Sequence, residues 1–308
     1  MPRIVITEIM DERAVARLAA RHDVLYDQTL VDDAARLQAE AAGADALIVR
    51  NRTQVRGALL AALARCRVVG RLGVGLDNID MPGCEARGMQ VFPATGANAL
   101  SVAEYVITSG MLLLRGAFAS TAAVAAGTWP RNTLGNGRET SGKTMGIIGF
   151  GSIGQLTGRL ARAMGMNVIA FDSMLEHDAQ VFRDRGVTFA GLHELIVQSD
   201  VVTLHVPLVD GTRGLFDAQR IAAMKPGAIL INTSRGHIVD FAAVVAALRG
   251  GHLGGAAIDV FDTEPLPANL APADCPNLLL TPHISGVSAE SNERVSFMIA
   301  DKVLEGLR

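Results

Sequence analysis

The sequence predicts an α/β protein built from two Rossmann-like, doubly wound parallel-sheet domains. Strand-length apolar runs alternate with helix-period segments along almost all of its 308 residues, the pattern of parallel strands joined by crossover helices. The alternation falls into two series, the second beginning at Lys143. The chain is also longer than one ordinary domain and fits two.

In the first series the apolar runs predict strands at Arg3–Glu8, Asp23–Asp27, Ala46–Arg50, Val68–Gly73 and Gln90–Pro93. Helices are expected between them, as at Asp11–Arg21, where Asp11 suits an N-cap. Asn98–Leu114 reads as one long helix. Gly116–Gly142 is rich in Gly, Ala and Thr, contains Trp129-Pro130, and reads as a surface connection. The second series gives strands at Met145–Phe150, Asn167–Asp172, Asp200–Val206, Ala228–Asn232, Gly255–Asp259 and Leu278–Thr281. Val287–Leu307 reads as a final helix that the pattern assigns to neither domain.

Composition excludes several classes. A hydrophobic content of 49% with net charge −3 describes a folded globular chain. The near-neutral pI, the absence of a long Lys/Arg run and an aromatic content of 4% argue against nucleic acid as a partner. Cys66, Cys84 and Cys275 are odd in number and far apart, so a disulfide framework is not expected and a reducing cytoplasm is. The N-terminus enters a strand-like run without a signal-peptide layout. No strongly apolar stretch approaches the ~20 residues of a membrane span. No metal is expected.

The segment Gly149-Phe150-Gly151-Ser152-Ile153-Gly154 follows a strand and opens a helix pattern with Ile153, Leu156, Leu160 and Met164 on one face. That context turns a weak G-x-G-x-x-G match into a dinucleotide-binding signal. Gly149 allows the tight turn, Gly151 lets backbone approach a pyrophosphate, and Gly154 lets helix and strand pack closely. The helix N-terminus offers N–H groups and partial positive charge to the phosphates. Asp172 ends the next strand and can accept from a ribose diol while repelling a 2′-phosphate. The following Ser173-Met174-Leu175 supplies no arginine, so NAD is favoured over NADP.

Three later segments place reactive side chains at strand ends, where open α/β sheets bind ligands. Asn232-Thr233-Ser234-Arg235-Gly236 offers a guanidinium suited to bidentate capture of a carboxylate. Asp259-Val260-Phe261-Asp262-Thr263-Glu264-Pro265 carries acids, and Thr281-Pro282-His283-Ile284-Ser285-Gly286 carries an imidazole. Oxidising a hydroxy acid needs a base for the hydroxyl proton and a cation for the carboxylate, which His283 and Arg235 supply. A carboxylate such as Glu264 would orient the ring and favour its charged form. Singly, each residue has a structural alternative, a hydrogen-bonded loop histidine or a salt-bridged arginine. Together, downstream of the glycine loop, they point to catalysis.

Taken as a set, these motifs resemble the D-isomer-specific 2-hydroxyacid dehydrogenase family, in its phosphoglycerate dehydrogenase-like branch, over nearly the whole chain. Gly70–Asp80, His205-Val206-Pro207-Leu208 and Met224-Lys225-Pro226-Gly227 add to the match. The resemblance implies that Arg235 binds the substrate carboxylate and keto oxygen, that His283 is the acid/base, and that Glu264 is its partner. It places Ser152, Ile153, His205, Val206, Pro207, Thr212, Thr233, Ser234, Asp259 and Gly286 at the cofactor. It places Asn51, Gly73, Val74, Gly75 and Asn98 at the substrate. It further implies a discontinuous substrate or lid domain of residues 1–97 plus 286–308. An NAD-binding domain, 98–285, is inserted in it, and a homodimer forms around the long helix and the loop after it. Handedness for the D-like isomer comes from the resemblance alone. Glu264 stands where formate dehydrogenases of this superfamily carry Gln, which argues against that activity.

Arg50 and Arg52 follow the third strand, and Arg71 ends the fourth. If those ends face the substrate, their guanidinium groups suit a second anion such as phosphate or sulfonate. As surface ion pairs they would contribute little. The run Leu47–Val55 is similar to the (S)-sulfolactate dehydrogenases of this family, so sulfolactate/sulfopyruvate is the expected pair. Glyoxylate/hydroxypyruvate reductase and 3-phosphoglycerate dehydrogenase are the alternatives, followed by an NAD-sensing, corepressor-like binding protein.

Overall fold

A computed structural model of the chain describes residues 1–116, 120–270, 272 and 274–308. It divides into two compact units, Met1–Asn98 with Val287–Arg308, and Ala99–Gly286.

The first unit runs β1 (Arg3–Ile6), α1 (Glu12–Ala19), β2 (Asp23–Tyr26), α2 (Ala34–Ala41), β3 (Ala46–Val49), α3 (Gly57–Ala62), β4 (Val68–Arg71), α4 (Met81–Glu85) and β5 (Gln90–Pro93). The strands form one parallel sheet in the order β2-β1-β3-β4-β5. All four residues of β3 and of β4 are buried, as central strands covered on both faces require. One face packs Ile4, Ile6, Ile48 and Val68 against Leu18 of α1 and the C-terminal helix Ala289–Gly306. The other packs Val5, Leu47 and Val69 against Leu37 and Leu59 of α2 and α3. Asp11 caps α1, its carboxylate accepting from the N–H groups of Arg13 and Ala14.

The second unit begins with α5 (Ala99–Arg115) and continues α6 (Ser120–Ala125), α7 (Arg131–Leu134), β6 (Thr144–Ile148), α8 (Ser152–Ala163), β7 (Asn167–Phe171), α9 (Gln180–Arg185), β8 (Thr188–Phe189), α10 (Leu192–Gln198), β9 (Val201–Leu204), α11 (Ala218–Ala223), β10 (Ile229–Asn232), α12 (Phe241–Arg249), β11 (Gly255–Ile258) and β12 (Leu278–Leu280). Its parallel sheet has the order β12-β11-β10-β9-β6-β7-β8. Strand order reverses around β6 and β9, creating the switch point where such sheets bind ligands. Val102 and Val106 of α5 pack with Ile147 and Ile231 on one face, while Leu195, Ile221 and Val244 cover the other.

The C-terminal helix, α13, joins the first unit. Ser288 caps it in a reciprocal box with Ser291. Sequence pattern and fold differ at three places. The connection after α5 holds α6 and α7, and its residues 117–119 lie outside the described residues. The two-residue β8 was not anticipated, being too short for an alternation to register. The apolar runs also overshoot strand ends by a residue, at Asp172, Asp259 and Thr281, which continue the line of a strand while their side chains brace a loop. No helix among the described residues is long and apolar enough to cross a membrane.

Candidate active site

The glycine loop joins β6 to α8. Gly149 has φ 92°, and a Cβ there would lie 2.5 Å from the His205 carbonyl oxygen. A Cβ on Gly154 would lie 2.2 Å from the Gly149 oxygen, so helix and turn meet only without side chains. A Cβ on Gly151 would meet nothing within 4 Å. The space over Gly151 is thus left open, as close approach of a ligand to the backbone requires. Gly151 is also the N-cap of α8 and has no side chain to occupy the helix's first N–H groups. Ser152 is exposed at the helix start, while Ile153 packs into the core beside it.

Asp172 follows β7 and braces the loop, Oδ2 accepting from the Phe150 N–H at 2.8 Å and Oδ1 from Met174 N–H at 2.9 Å. At the ends of β9 and β10, His205 Nδ1 and Thr233 Oγ1 are buried without a protein partner among the described residues. Buried polar atoms of this kind require a partner, and both lie at the sheet's carboxyl edge. Desolvation holds the His205 imidazole well below the usual histidine range, hence neutral, with Nε2 3.1 Å from Thr203 Oγ1. Ser234 Oγ is spent on the Leu204 carbonyl at 2.6 Å, and Thr212 Oγ1 on that of Pro207 at 2.6 Å, each tying down its loop. Val206 packs on the core. The open glycine turn, the uncapped helix and the two orphaned atoms fit a dinucleotide.

Arg235 leaves β10 through a turn stapled by Asn232, which accepts from the Ser234 N–H at 3.0 Å and donates to the Arg235 carbonyl at 2.9 Å. A Cβ at Gly236 would lie 2.1 Å from the Phe261 carbonyl carbon, so only glycine lets this turn pass the loop that bears Glu264. Glu264 Oε1 accepts from the Phe261 N–H at 3.0 Å, and Oε2 meets His283 Nδ1 at 2.8 Å. Burial would raise the Glu264 carboxyl, but the His283 hydrogen bond and charge, the Phe261 N–H and the Arg235 charge outweigh it and hold it below the usual range. The acid is therefore ionised beside the ring.

His283 has φ 56°, an uncommon conformation for a side-chain-bearing residue. Asp259 fixes it. The Asp259 carbonyl accepts from the His283 N–H at 2.8 Å, and its fully buried carboxylate accepts from the N–H groups of Ile284 and Ser285, each at 2.8 Å. Thr281 Oγ1 donates to the same carboxylate at 2.6 Å and meets the Tyr105 hydroxyl at 2.6 Å. Asp259 thus braces the histidine loop. Tyr105 and Thr281 were not singled out from sequence. The available signal was a phenol on the apolar helix α5, from a chain with two tyrosines. Gly286 closes the segment at the unit boundary.

In the first unit, Gly73 has φ 155°, and a Cβ on it would lie 1.6 Å from Arg71 Nη1. Glycine is what lets the buried Arg71 guanidinium fold over this turn and reach the Leu72 carbonyl at 3.1 Å. Among the described residues no backbone carbonyl accepts from the N–H groups of Val74 and Gly75. Asn98 Oδ1 is buried without a protein partner. Arg50 is half-buried, its Nη1 donating to the Ile9 carbonyl at 3.1 Å and to Asn292 Oδ1 at 2.9 Å. Asn51 is exposed beside it. Arg52 departs from the expected cluster, being an exposed partner of Asp32 in a surface ion pair. Sequence reading also missed Glu8, whose buried carboxylate collects the N–H groups of Arg50, Arg52 and Thr53 at 2.8–3.1 Å. Among the described residues no cluster of three His, Cys, Asp or Glu side chains could hold a metal ion.

Comparison with known proteins agrees with this chemistry. Residues 107–285 match the model of the D-isomer specific 2-hydroxyacid dehydrogenase NAD binding domain. The chain is 50% identical to the (S)-sulfolactate dehydrogenase of Chromohalobacter salexigens over 100% of its own length and 99% of that protein. It is 34% identical to the D-3-phosphoglycerate dehydrogenase of Mycobacterium bovis, spanning 98% of this chain but only 56% of that one. Its fold superposes with TM-score 0.85 on the D-lactate dehydrogenase of Aquifex aeolicus, solved with NAD and lactic acid, at 26% identity and covering 99% and 95% of the two chains.

Proposed function

The chain belongs to the D-isomer specific 2-hydroxyacid dehydrogenases, and from that premise we propose that its substrate carries a second anionic group, with the (S)-sulfolactate/sulfopyruvate pair foremost. As a member of this family it is an NAD-dependent oxidoreductase of a small 2-hydroxy or 2-keto acid. The substrate reading rests on one observation above the others. The half-buried Arg50 guanidinium has no hydrogen bond to a carboxylate among the described residues. The half-identical sulfolactate dehydrogenase relative supports the same choice.

In this reading Arg235 holds the substrate carboxylate through its planar fork. His283 Nδ1 is committed to Glu264, so Nε2 is the atom that moves the proton. In reduction it gives that proton to the keto oxygen, and in oxidation it takes the proton from the hydroxyl. NAD(H), when bound, accepts or supplies the hydride. Ionised Glu264 balances the charge that His283 gains. Asp172 accepts from the ribose hydroxyls and disfavours a 2′-phosphate. Arg50 takes the second anion.

We further propose a homodimer built on α5 and the connection after it, where Val124 and Trp129 are exposed apolar side chains. The three free cysteines support a reducing, cytoplasmic setting. Steady-state NADH oxidation across sulfopyruvate, phosphohydroxypyruvate, hydroxypyruvate, glyoxylate and pyruvate tests the substrate. Sulfopyruvate should exceed pyruvate in kcat/KM by about ten- to a hundredfold, the worth of one charge-assisted contact. Equal values for pyruvate and the dianions would end the substrate claim and leave the family assignment intact. The same preparation should sediment as a dimer.

A further inference from the structure

Arg50 is held by two neutral acceptors, the Ile9 carbonyl and Asn292 Oδ1. One acid, Glu8, attracts the guanidinium. Glu8 has committed both oxygens to backbone, Oε1 to the N–H groups of Arg50 and Thr53 and Oε2 to that of Arg52. The carboxylate therefore shapes the loop and acts on the guanidinium only through space, with no direct hydrogen bond to it. Tyr26 also faces the guanidinium, and its hydroxyl is occupied by Met10, donating to the carbonyl and accepting from the N–H.

Asn292 is the unexpected member of this group. It lies in the first turn of α13, one residue past the Ser288–Ser291 capping box. Stability alone favours an acid there twice over. A negative charge in the first turn of a helix interacts well with the macrodipole, and a carboxylate 2.9 Å from Arg50 Nη1 would form a partly buried ion pair. The chain has the neutral amide, which keeps the same acceptor geometry without the charge.

We infer that Asn292 is a specificity-determining positioning residue. It fixes the direction of the Arg50 guanidinium without adding a directly paired counter-ion, which leaves the cation open to the second anion of the substrate. The inference rests on the substrate reading above and adds to it the residue that keeps the cation available. Asparagine and aspartate are nearly the same shape, so one exchange separates holding from neutralising. Asn292→Asp gives Arg50 a directly hydrogen-bonded counter-ion, and the site then loses much of its reason to prefer a dianion.

The test uses the full-length protein, NADH, sulfopyruvate and pyruvate, in four forms: wild type, Asn292→Asp, Arg50→Met and the double variant. In wild type the sulfopyruvate/pyruvate ratio of kcat/KM is high. Asn292→Asp should lower that ratio by about tenfold or more through KM for sulfopyruvate, leave pyruvate turnover within about twofold, and hold or raise the melting temperature. In the Arg50→Met background the same exchange should change the ratio several-fold less, because its effect acts through the guanidinium. An unchanged ratio in Asn292→Asp overturns the inference. So does an equal drop in both backgrounds, which would be direct repulsion by the new carboxylate. Parallel losses for both substrates would mean a merely structural role and overturn it as well. A wild type without dianion preference removes the substrate reading itself, a result distinct from the other three.

Discussion

At the scale of the residue, the catalytic proposal comes down to one hydrogen bond, His283 Nδ1 to Glu264 Oε2 at 2.8 Å. His283→Ala should keep NADH binding, read by fluorescence titration, and lose turnover by about 10²–10⁴-fold, the usual worth of a general acid. Near-normal turnover would remove His283 from the mechanism. Glu264→Gln keeps a hydrogen-bonding group and removes the charge. The basic limb of the keto-acid reduction profile should then move to lower pH, since the protonated ring loses its counter-ion. The Glu264 carboxyl itself is held below the usual range. Its contribution to stability is thus fully present above the ordinary glutamate value and is lost as pH falls through the lowered one. In Glu264→Gln the acid side of the stability profile should be flatter than in wild type. Much of this was legible in sequence, because Arg235, Glu264 and His283 each follow a strand that the apolar pattern marks. What pattern could not reveal is how side chains spend their atoms. Arg52 reads like Arg50 in sequence, but its guanidinium pairs with Asp32 while that of Arg50 is hydrogen-bonded to neutral acceptors. Glu8 and Tyr105 act through contacts with segments far along the chain.

At the scale of the element, the strand–turn–helix of β6 and α8 separates two uses of glycine. A Cβ at Gly154 would collide with the Gly149 oxygen at 2.2 Å, whereas one at Gly151 enters open space. Gly151→Ala should therefore melt within a few degrees of wild type, yet weaken NADH binding by about tenfold or more, since its methyl would occupy the approach to the pyrophosphate. Gly154→Ala should lose stability whether or not cofactor is present. Thermal melts with and without NADH read both, and a Gly151→Ala protein with unchanged NADH affinity would contradict the cradle. The glycine spacing and the apolar runs made this element readable. The connection after α5 was not, because short helices such as α6 and α7 bury none of their residues and so leave no periodic stripe. Strand ends were blurred for a related reason: Asp172 and Asp259 continue the line of a strand but hydrogen-bond to neighbouring loops.

At the scale of the whole molecule, the first unit is assembled from the two ends of the chain. Ile299 of α13 is fully buried, and its methyl occupies the space a Cβ on Gly70 of β4 would need, 2.6 Å away. Ile299→Ala should cost about 2–5 kcal/mol, the range for large-to-small core changes. Chemical denaturation with tryptic mapping should place the earliest cuts in residues 1–98. Early cuts confined to the second unit would mean that α13 contributes less to the first core than its burial indicates. The apolar pattern left this helix unassigned, since an amphipathic stripe identifies a buried face but not the sheet it covers, and only the family resemblance put it with the first unit.

That closure sets an order of events during synthesis. The strands of the first sheet are made before residue 98, but the helix that covers one of their faces ends at Gly306. At about 5–20 residues per second, the interval is roughly 10–40 s. Through that time Ile4, Ile6, Ile48 and Val68 have only part of their covering, while the intervening unit can complete its own core. A nascent chain of this kind shows the ribosome-associated chaperones an apolar sheet face until α13 emerges, and a chain truncated before α13 would leave that face bare for the proteases.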